Sequence, residues 1–428
     1  MAAVPLFEEA GWSAAGPMIA GLAGFTMEDP NAPLRLETKG ETGAQRRFSV
    51  YAASAAFQLS QELEHLSYRA IEPNIYFNPR FLAPAMPRLM DKDVRLAVLR
   101  DDNGTRTRLR LVMPYVIERP VIGVGPAILR SWANVFGPNG TPLIDCDDPA
   151  AVADEFLEIL SRPHLNLPNV LVIPQVYLDG QAGRILRAAA LARDFPVYVT
   201  QPQTRAVLAS DLDGDSYINK VFSSHHRRGF LRLQRRLGEF GTVTFNTARD
   251  RDSVFRRMEE FLMLEARGWK GRKRTALTSD RLQAAFAREA INDLADRDMV
   301  RIMTLDLNGK AIASLLILIE AGTAYTWKIA YDEGYSAYSP GMLLMIEATK
   351  MLLDDPNVLS ADSCAVPNHA MMDRVWAERR ELQTIIIGLG PYTDRQARQA
   401  ANQIELYDRT RVAARTMRDR IKMAFSRS

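Results

Sequence analysis

The chain has 428 residues, of which 47% are hydrophobic and 25% charged, with a net charge of +3. This is the composition of a globular protein long enough for two domains; it excludes disorder throughout, and the small net charge does not by itself point to nucleic acid. Cys146 and Cys364 are the only cysteines and no Cys or His falls at metal-ligand spacing, so neither a disulfide framework nor a metal site is expected.

Residues 1–45 mix Gly, Pro, Ala and charges without a sustained period and read as an N-terminal arm. The arm lacks the basic start of a signal peptide. The longest apolar run, Ala311 to Ile319, is far shorter than the ~20 residues of a membrane-spanning helix. A cytoplasmic location is expected, with peripheral contact at the inner face of the membrane as a variant.

Residues 46–200 form a first mixed α/β unit. A strand Phe48–Tyr51, a helix Ala55–Leu66 and a Pro-rich turn region lead to strands Val94–Leu99 and Leu109–Ile117. Those strands flank Asp102-Asn103-Gly104, a tight-turn signal. A helix Ala150–Leu160 and a strand Val170–Ile173 follow. Residues 201–241 read as a connector holding an Arg-rich helix, in which Arg227, Arg228, Arg232, Arg235 and Arg236 interleave with Phe230, Leu231, Leu233 and Leu237. With His225 and His226 this is the clearest basic patch, suited to donor phosphates, nucleic acid or anionic lipid, although a solvated helix face is the commoner explanation.

Residues 242–390 form a second unit in the order β-α-α-β-β-β-α-β-α-β. Its strands Val300–Leu307, Ala311–Ile319 and Ala324–Tyr331 are joined by Asn308-Gly309 and Ala321-Gly322, both with hairpin chemistry. Strict alternation along the third strand places Tyr325, Trp327, Ile329 and Tyr331 on one face and Thr326, Lys328 and Ala330 on the other; a lysine there suggests a cleft. Tyr338-Ser339-Pro340-Gly341 then opens a helix Met342–Leu353, and a helix N-terminus with its unpaired N–H groups can receive phosphates. A strand Leu359–Ser363, a helix Met371–Arg380 and a strand Gln383–Ile387 complete the unit. Residues 391–428 form a basic, loosely amphipathic C-terminal helix that either covers the core or lies on a membrane surface.

The element order, together with Leu264-Glu265-Ala266-Arg267-Gly268-Trp269-Lys270-Gly271, Tyr331-Asp332 and Tyr338-Ser339-Pro340-Gly341, resembles the GNAT acyltransferases, and within them the CelD/BcsL subgroup. The resemblance covers about Thr242 to Gly388. It is similar in plan to the FemAB aminoacyltransferases, which pair two GNAT-like units in one chain. The implied fold is α/β with a mixed sheet, in tandem GNAT-like domains of which the first is degenerate and the second complete, plus a C-terminal helix. The usual Arg/Gln-x-x-Gly-x-Gly/Ala donor loop is reduced here to Gly341, so coenzyme A, an acyl carrier protein and an aminoacyl-tRNA all stay open as carriers.

The resemblance implies donor binding by Tyr338, Ser339, Pro340, Gly341, Met342 and Leu343. Acceptor and acyl-chain binding fall to Trp269, Lys270, Tyr325, Trp327, Lys328 and Tyr331. Acyl transfer needs a group that takes a proton from the attacking atom, and Glu265, Asp362 and His369 are the candidates. The leading expectation is an acyl-CoA-dependent N- or O-acyltransferase without a metal, acting on an envelope acceptor: a polysaccharide, a peptidoglycan precursor or a lipid amine such as a sphingoid base. The rivals are aminoacyl transfer from tRNA and an inactive polysaccharide- or lipid-binding scaffold.

Overall fold

Asn308-Gly309 and Ala321-Gly322 each hold both residues at positive φ, 52° and 76° in the first turn and 46° and 78° in the second. Two-residue turns between right-twisted strands need this backbone, so both expected hairpins form where the sequence placed them. The computed structural model describes residues 3, 6–10, 38–39, 45–89, 93–102, 107–120 and 125–425. The strands in chain order are β1 (Phe7–Ala10), β2 (Thr38–Lys39), β3 (Gln45–Ala52), β4 (Arg95–Asp102), β5 (Thr107–Glu118), β6 (Ile128–Ser131), β7 (Leu143–Ile144) and β8 (Val170–Tyr177). They continue as β9 (Val197–Val199), β10 (Gln203–Leu208), β11 (Val243–Ala248), β12 (Val300–Leu307), β13 (Lys310–Glu320), β14 (Thr323–Tyr331), β15 (Ser360–Asp362) and β16 (Glu378–Gly388).

The helices of the first half are α1 (Ala55–Gln58), α2 (Ser60–Arg69), α3 (Pro79–Ala85), α4 (Pro149–Leu160) and α5 (Gln181–Ala192). Those of the second half are α6 (Gly214–Val221), α7 (Ser224–Gly238), α8 (Arg251–Arg267), α9 (Trp269–Arg272), α10 (Arg281–Ala295), α11 (Pro340–Asp354), α12 (Met372–Val375) and α13 (Asp394–Phe425).

All these strands join one mixed sheet whose main path runs β1-β3-β4-β5-β6-β8-β16-β10-β15-β14-β13-β12-β11. Only β6–β8 and β14–β15 pair in parallel. The hairpin partners β4 and β5 are antiparallel as expected, while the Asn103-Gly104 turn between them lies outside the described residues. Two segments of the expected N-terminal arm, Phe7–Ala10 and Thr38–Lys39, pair as strands with β3.

The sheet does not break between the halves. Strand β16, late in the chain, lies between β8 of the first half and β10, with Leu382 opposite both Tyr177 and Gln203. Its start, Glu378–Arg380, was expected as helix. Pairing with Val207, Ala206 and Arg205 holds it extended, and the helix shrinks to α12. The core is shared in the same way: Phe81 of α3 packs edge-on against Phe286 of α10 at 5.2 Å and Trp327 of β14 at 5.8 Å. Helix α13 begins by laying Ala397, Ala400 and Ala401 on Val170, Val172 and Ile386. Among the described residues no helix is long and apolar enough to cross a membrane.

Several ionisable contacts join the halves, among them Arg88–Glu289 (2.6 Å) and Arg297–Glu64 (3.1 Å), and one of them titrates near neutrality. Asn78, which caps α3 by accepting the Arg80 N–H, donates to Glu320 Oε1 at the end of β13 (2.7 Å), while Glu320 Oε2 is buried without a partner. Burial pushes the Glu320 carboxyl up from 4.5 to about 7, against the opposing pull of Asn78. The folded state therefore holds a proton that the unfolded chain releases near pH 4.5, and stability falls as pH rises from about 4.5 to about 7, by about 3 kcal/mol in total. Glu320→Gln, which keeps the bond to Asn78 and cannot ionise, is expected to flatten the melting temperature over pH 5–8 and to exceed the parent at pH 8. A parallel pH dependence in both proteins would assign the titration elsewhere.

Candidate active site

The parallel pairing of β14 with β15 lasts only from Thr323↔Ser360 to Tyr325↔Asp362, whereas β14 continues to Tyr331. Beyond Tyr325 that edge of β14 has no strand partner among the described residues. The parting coincides with a bulge: Leu316 pairs with Lys328 and the next residue, Ile317, with Thr326, so Trp327 is an inserted residue. One extra residue reverses the alternation beyond it. The four aromatic and aliphatic side chains expected on one face are accordingly split. Tyr325 and Trp327 join the core around Phe81 and Phe261, whereas Ile329 and Tyr331 pack with Leu343 and Leu344 on the opposite face.

The turn beside the open edge is built as expected, with α11 starting at Pro340 rather than Met342. Ser339 takes a left-handed conformation (φ 52°, ψ 50°), which a residue with a Cβ adopts at some cost. Its carbonyl accepts from Met342 N (3.0 Å) and Leu343 N (3.1 Å), and Pro340 has no N–H. This leaves the Gly341 N–H at the helix opening without a partner among the described residues. A Cβ on Gly341 would meet Tyr331 Cδ1 at 3.5 Å and Ile329 Cδ1 at 3.8 Å, ordinary contacts. Tyr338 is covered by Arg236, whose guanidinium lies 5.5 Å from the ring centre. Of the expected donor residues, Leu343 is buried and Met342 packs against the core, so their side chains are structural.

On the other face of β14 lies the turn after α8, from Glu265 to Gly271, which holds the expected acceptor residues Trp269 and Lys270. Glu265 is buried; its Oε1 accepts from Lys270 Nζ (2.9 Å) and its Oε2 from Leu277 N (2.8 Å), while Lys270 also donates to Ile329 O (3.0 Å). Both carboxylate oxygens are thereby committed to fixing the turn after α8. Trp269 points outward, with 43% of its surface exposed and Lys273 Nζ 5.1 Å over its ring.

Lys328 differs from these neighbours. Its Nζ makes no hydrogen bond or ion pair among the described residues; it lies 4.8 Å from the ring centre of Phe136 and 5.7 Å from that of Trp327. The Trp327 indole in turn donates to Phe136 O (2.7 Å), which fastens the 132–138 loop of the first half onto β14. Burial lowers the Lys328 pKa to about 8, with Glu265 opposing and Lys270 adding to the shift.

Asp362 ends β15 inside a network that the sequence did not disclose. It accepts from the Tyr177 hydroxyl and from Arg205 Nη1 (3.1 Å), and its Oδ1 accepts from Cys364 N (2.6 Å). Arg205 donates its other arm to Gln175 Oε1 (2.7 Å), and the Cys364 thiol lies 3.0 Å from the Tyr76 hydroxyl. Burial would lower the Arg205 pKa, but Asp362, Cys364, Tyr177 and Tyr76 together outweigh it and the net shift is upward; burial and then Asp362 raise the Cys364 thiol, so it is no ready nucleophile. Gln175 sits at a bulge between β8 and β16 with φ 58°, and Cys364 has φ 50°. Such backbones recur where side chains are aimed at a site.

Both residues line a cleft of about 540 Å³ between the halves. Its walls also include Trp132, Val135, Arg205 and Val366, with Glu118 and Asp408 among its acidic residues. His369 lies on the loop after β15 but points to the start of α12, where its Nδ1 accepts from Met372 N (3.3 Å). Asp145, Cys146 and Asp147 bring potential ligand atoms within 4.8 Å of one another, but Arg69, Arg108 and Arg110 hold the carboxylates.

The fold brings Trp327, Lys328, Glu265 and Lys270 to one wall and the Ser339–Gly341 turn to the other side of the same strand. It leaves Trp269 and His369 outside that group. Sequence reasoning missed Arg205, Gln175, Tyr177 and the 132–138 loop. Arg205 lies in Gln203–Leu208, which was expected as part of the 201–241 connector and is strand β10.

Residues 224–358 match the family described as "Acetyltransferase (GNAT) domain". Among solved structures the chain is similar to a C-terminal domain (DUF2156) from Agrobacterium fabrum, with 11% identity, a TM-score of 0.49, and coverage of 81% of this chain and 96% of that one. It is similar to a conserved protein of Bacteroides thetaiotaomicron VPI-5482 (11% identity, TM-score 0.46, coverage 77% and 97%) and to FemX (11%, 0.45, 76% and 95%). No curated protein matches the sequence. Over residues 224–358 the chain carries a GNAT acetyltransferase domain.

Proposed function

We propose that the protein transfers an acyl group from acyl-CoA to an amine or hydroxyl of a cell-envelope acceptor, directly and in a ternary complex. The observation that carries this reading is the unpaired edge of β14 beyond Tyr325, beside the opening of α11 at Ser339–Gly341. An extended thioester arm can add to such an edge as a further strand would, its amides meeting backbone groups other than Ile329 O, which Lys270 holds, while its phosphates reach the positive end of the helix. The junction cleft takes the acceptor. Its mixture of Val135, Val366 and Trp132 with Arg205 and Asp408 suits a molecule with both apolar and polar parts. The CelD/BcsL resemblance supports a polysaccharide, a peptidoglycan precursor or a lipid amine such as a sphingoid base.

In the transfer the acceptor nitrogen or oxygen bonds to the acyl carbon and the C–S bond breaks. Backbone N–H groups beside β14 polarise the thioester carbonyl as its oxygen gains charge. Lys328, which has no ion pair among the described residues, takes the acceptor's proton when its amine is neutral, directly or through one water. Glu265 and Asp362 act as positioning residues, the first holding the wall of the α8–α9 turn and the second holding Arg205 at the cleft.

Thermal-shift and intact-mass measurements with acetyl-CoA and long-chain acyl-CoAs test the reading, and absence of both binding and thiol release with every donor would sink it. Gly341→Trp is expected to weaken acyl-CoA binding at least tenfold, because the indole would project past Tyr331 onto the open edge, whereas Gly341→Ala should bind as the parent does. Equal binding by parent and Gly341→Trp would move the donor site elsewhere.

A further inference from the structure

The arginines of α7 stand apart from most of those elsewhere in the molecule. None of Arg227, Arg228, Arg232, Arg235 and Arg236 has an acidic partner among the described residues. Arg228 donates only to Ser224 O in its own helix (3.3 Å), and Arg227 Nε is buried without a partner. Stability does not account for the arrangement. Like charges at helical spacing repel, and Arg227 and Arg228 crowd the helix end whose dipole disfavours cations.

The helix is nevertheless firmly seated. Leu237 is fully buried and Phe230 packs edge-on against Phe222 at 5.1 Å, so the opposite face is held outward. Arg228, Arg232 and Arg235 recur at i, i+4 and i+7 and share that outward face. Leu231, 58% exposed, stands among them. The basic face runs directly into the donor turn: Arg236 covers Tyr338, and Phe240, 53% exposed, meets Tyr338 at 5.4 Å and Tyr335 at 6.3 Å.

We propose that this face docks an acidic acyl carrier protein, which delivers the acyl group on a phosphopantetheine arm to the open edge of β14. The inference rests on the transferase reading above and adds, beside coenzyme A, a protein carrier that feeds the same donor site. The spacing of the arginines favours a macromolecule over free coenzyme A: Arg228 to Arg235 span about 10 Å of helix axis, leading away from the donor turn. The exposed Leu231 at their centre favours a protein over a nucleic acid, because an apolar side chain ringed by cations matches an acidic helix with an apolar ridge and has no counterpart on a phosphodiester backbone. The chemistry is that of the coenzyme A donor, with the phosphopantetheine thiol leaving on the carrier.

The test measures binding of a fluorescently labelled holo acyl carrier protein to the full-length chain at low and moderate salt, beside thermal shift by acyl-CoA. The triple variant Arg228→Glu/Arg232→Glu/Arg235→Glu is expected to weaken carrier binding at least tenfold and to leave the acyl-CoA shift unchanged. Leu231→Asp should weaken carrier binding at least threefold, and the triple Arg→Lys variant should retain it. An unaltered melting temperature confirms folding of each variant. Carrier binding that ignores the reversal, or tRNA binding that is tighter and insensitive to Leu231→Asp, overturns the inference. If acyl-CoA stabilises the protein and the carrier does not bind, this inference fails alone; if neither binds, the transferase reading fails with it.

Discussion

Lys328→Met is expected to lower kcat by about 10²- to 10⁴-fold, the range that a positioned general base contributes, with a much smaller change in KM for the acyl donor. The ammonium has Phe136 and Trp327 as neighbours and no ion pair among the described residues, so charging it is opposed by burial, and its pKa falls to about 8. Only the neutral amine accepts a proton. The parent rate should therefore rise with pH and level off above about 8, and this limb should vanish in the variant. Glu265 and Lys270 face the same amine, and Glu265→Gln, by removing the charge that favours protonation, should move the limb to lower pH. Lys328→Arg keeps the cation over the rings but cannot deprotonate near neutrality, and should be as slow as the methionine variant. A Lys328→Met rate within threefold of the parent would exclude Lys328 as the base.

Arg205→Met should cost about 3–5 kcal/mol of stability, the usual penalty for stranding one member of a buried ion pair. Asp362 would remain buried with Tyr177 and the Cys364 N–H as its other partners, and Gln175 would lose its donor. Urea unfolding at neutral pH measures the loss. Adding Asp362→Asn to Arg205→Met should recover part of it, giving a coupling of at least 1 kcal/mol in the double-mutant cycle. Additive effects would show that the pair contributes no more than two independent contacts. Because Arg205 and Gln175 also line the cleft, the single variant should weaken acceptor binding even at temperatures where it stays folded.

The correctly read parts of the sequence were those governed by adjacent residues. Asn308-Gly309 and Ala321-Gly322 specify their hairpins because a two-residue turn depends on the φ angles of those two residues alone. The opening of α11 was legible because Pro340 cannot donate an N–H and suits the first helical position. The Arg-rich helix was legible as a basic patch, but which of its apolar residues are buried was not: Leu237 is buried and Leu231 is exposed.

The misreadings share a different cause. A strand's alternation predicts faces only if the ladder is regular, and the extra residue at Trp327 turns Ile329 and Tyr331 to the opposite side. The residues around Trp327 carry no local mark of this, since the bulge depends on how β14 registers against β13. Glu378–Arg380 likewise reads as helix in isolation and becomes strand because β10 stands ready to pair with it.

By itself the sequence determined the mixed α/β elements, the two hairpins, the turn at Ser339–Gly341 that opens α11 and the cluster of arginines on α7. Tertiary structure alone decided the shared sheet, the cleft between the halves and the company each ionisable group keeps. Tyr177 and Asp362 are 185 residues apart in the chain, and Lys328 loses its expected setting to Phe136 of the other half. Turn and helix chemistry is set within a few bonds, whereas burial, ion pairing and strand register are set by whatever the folded chain places alongside.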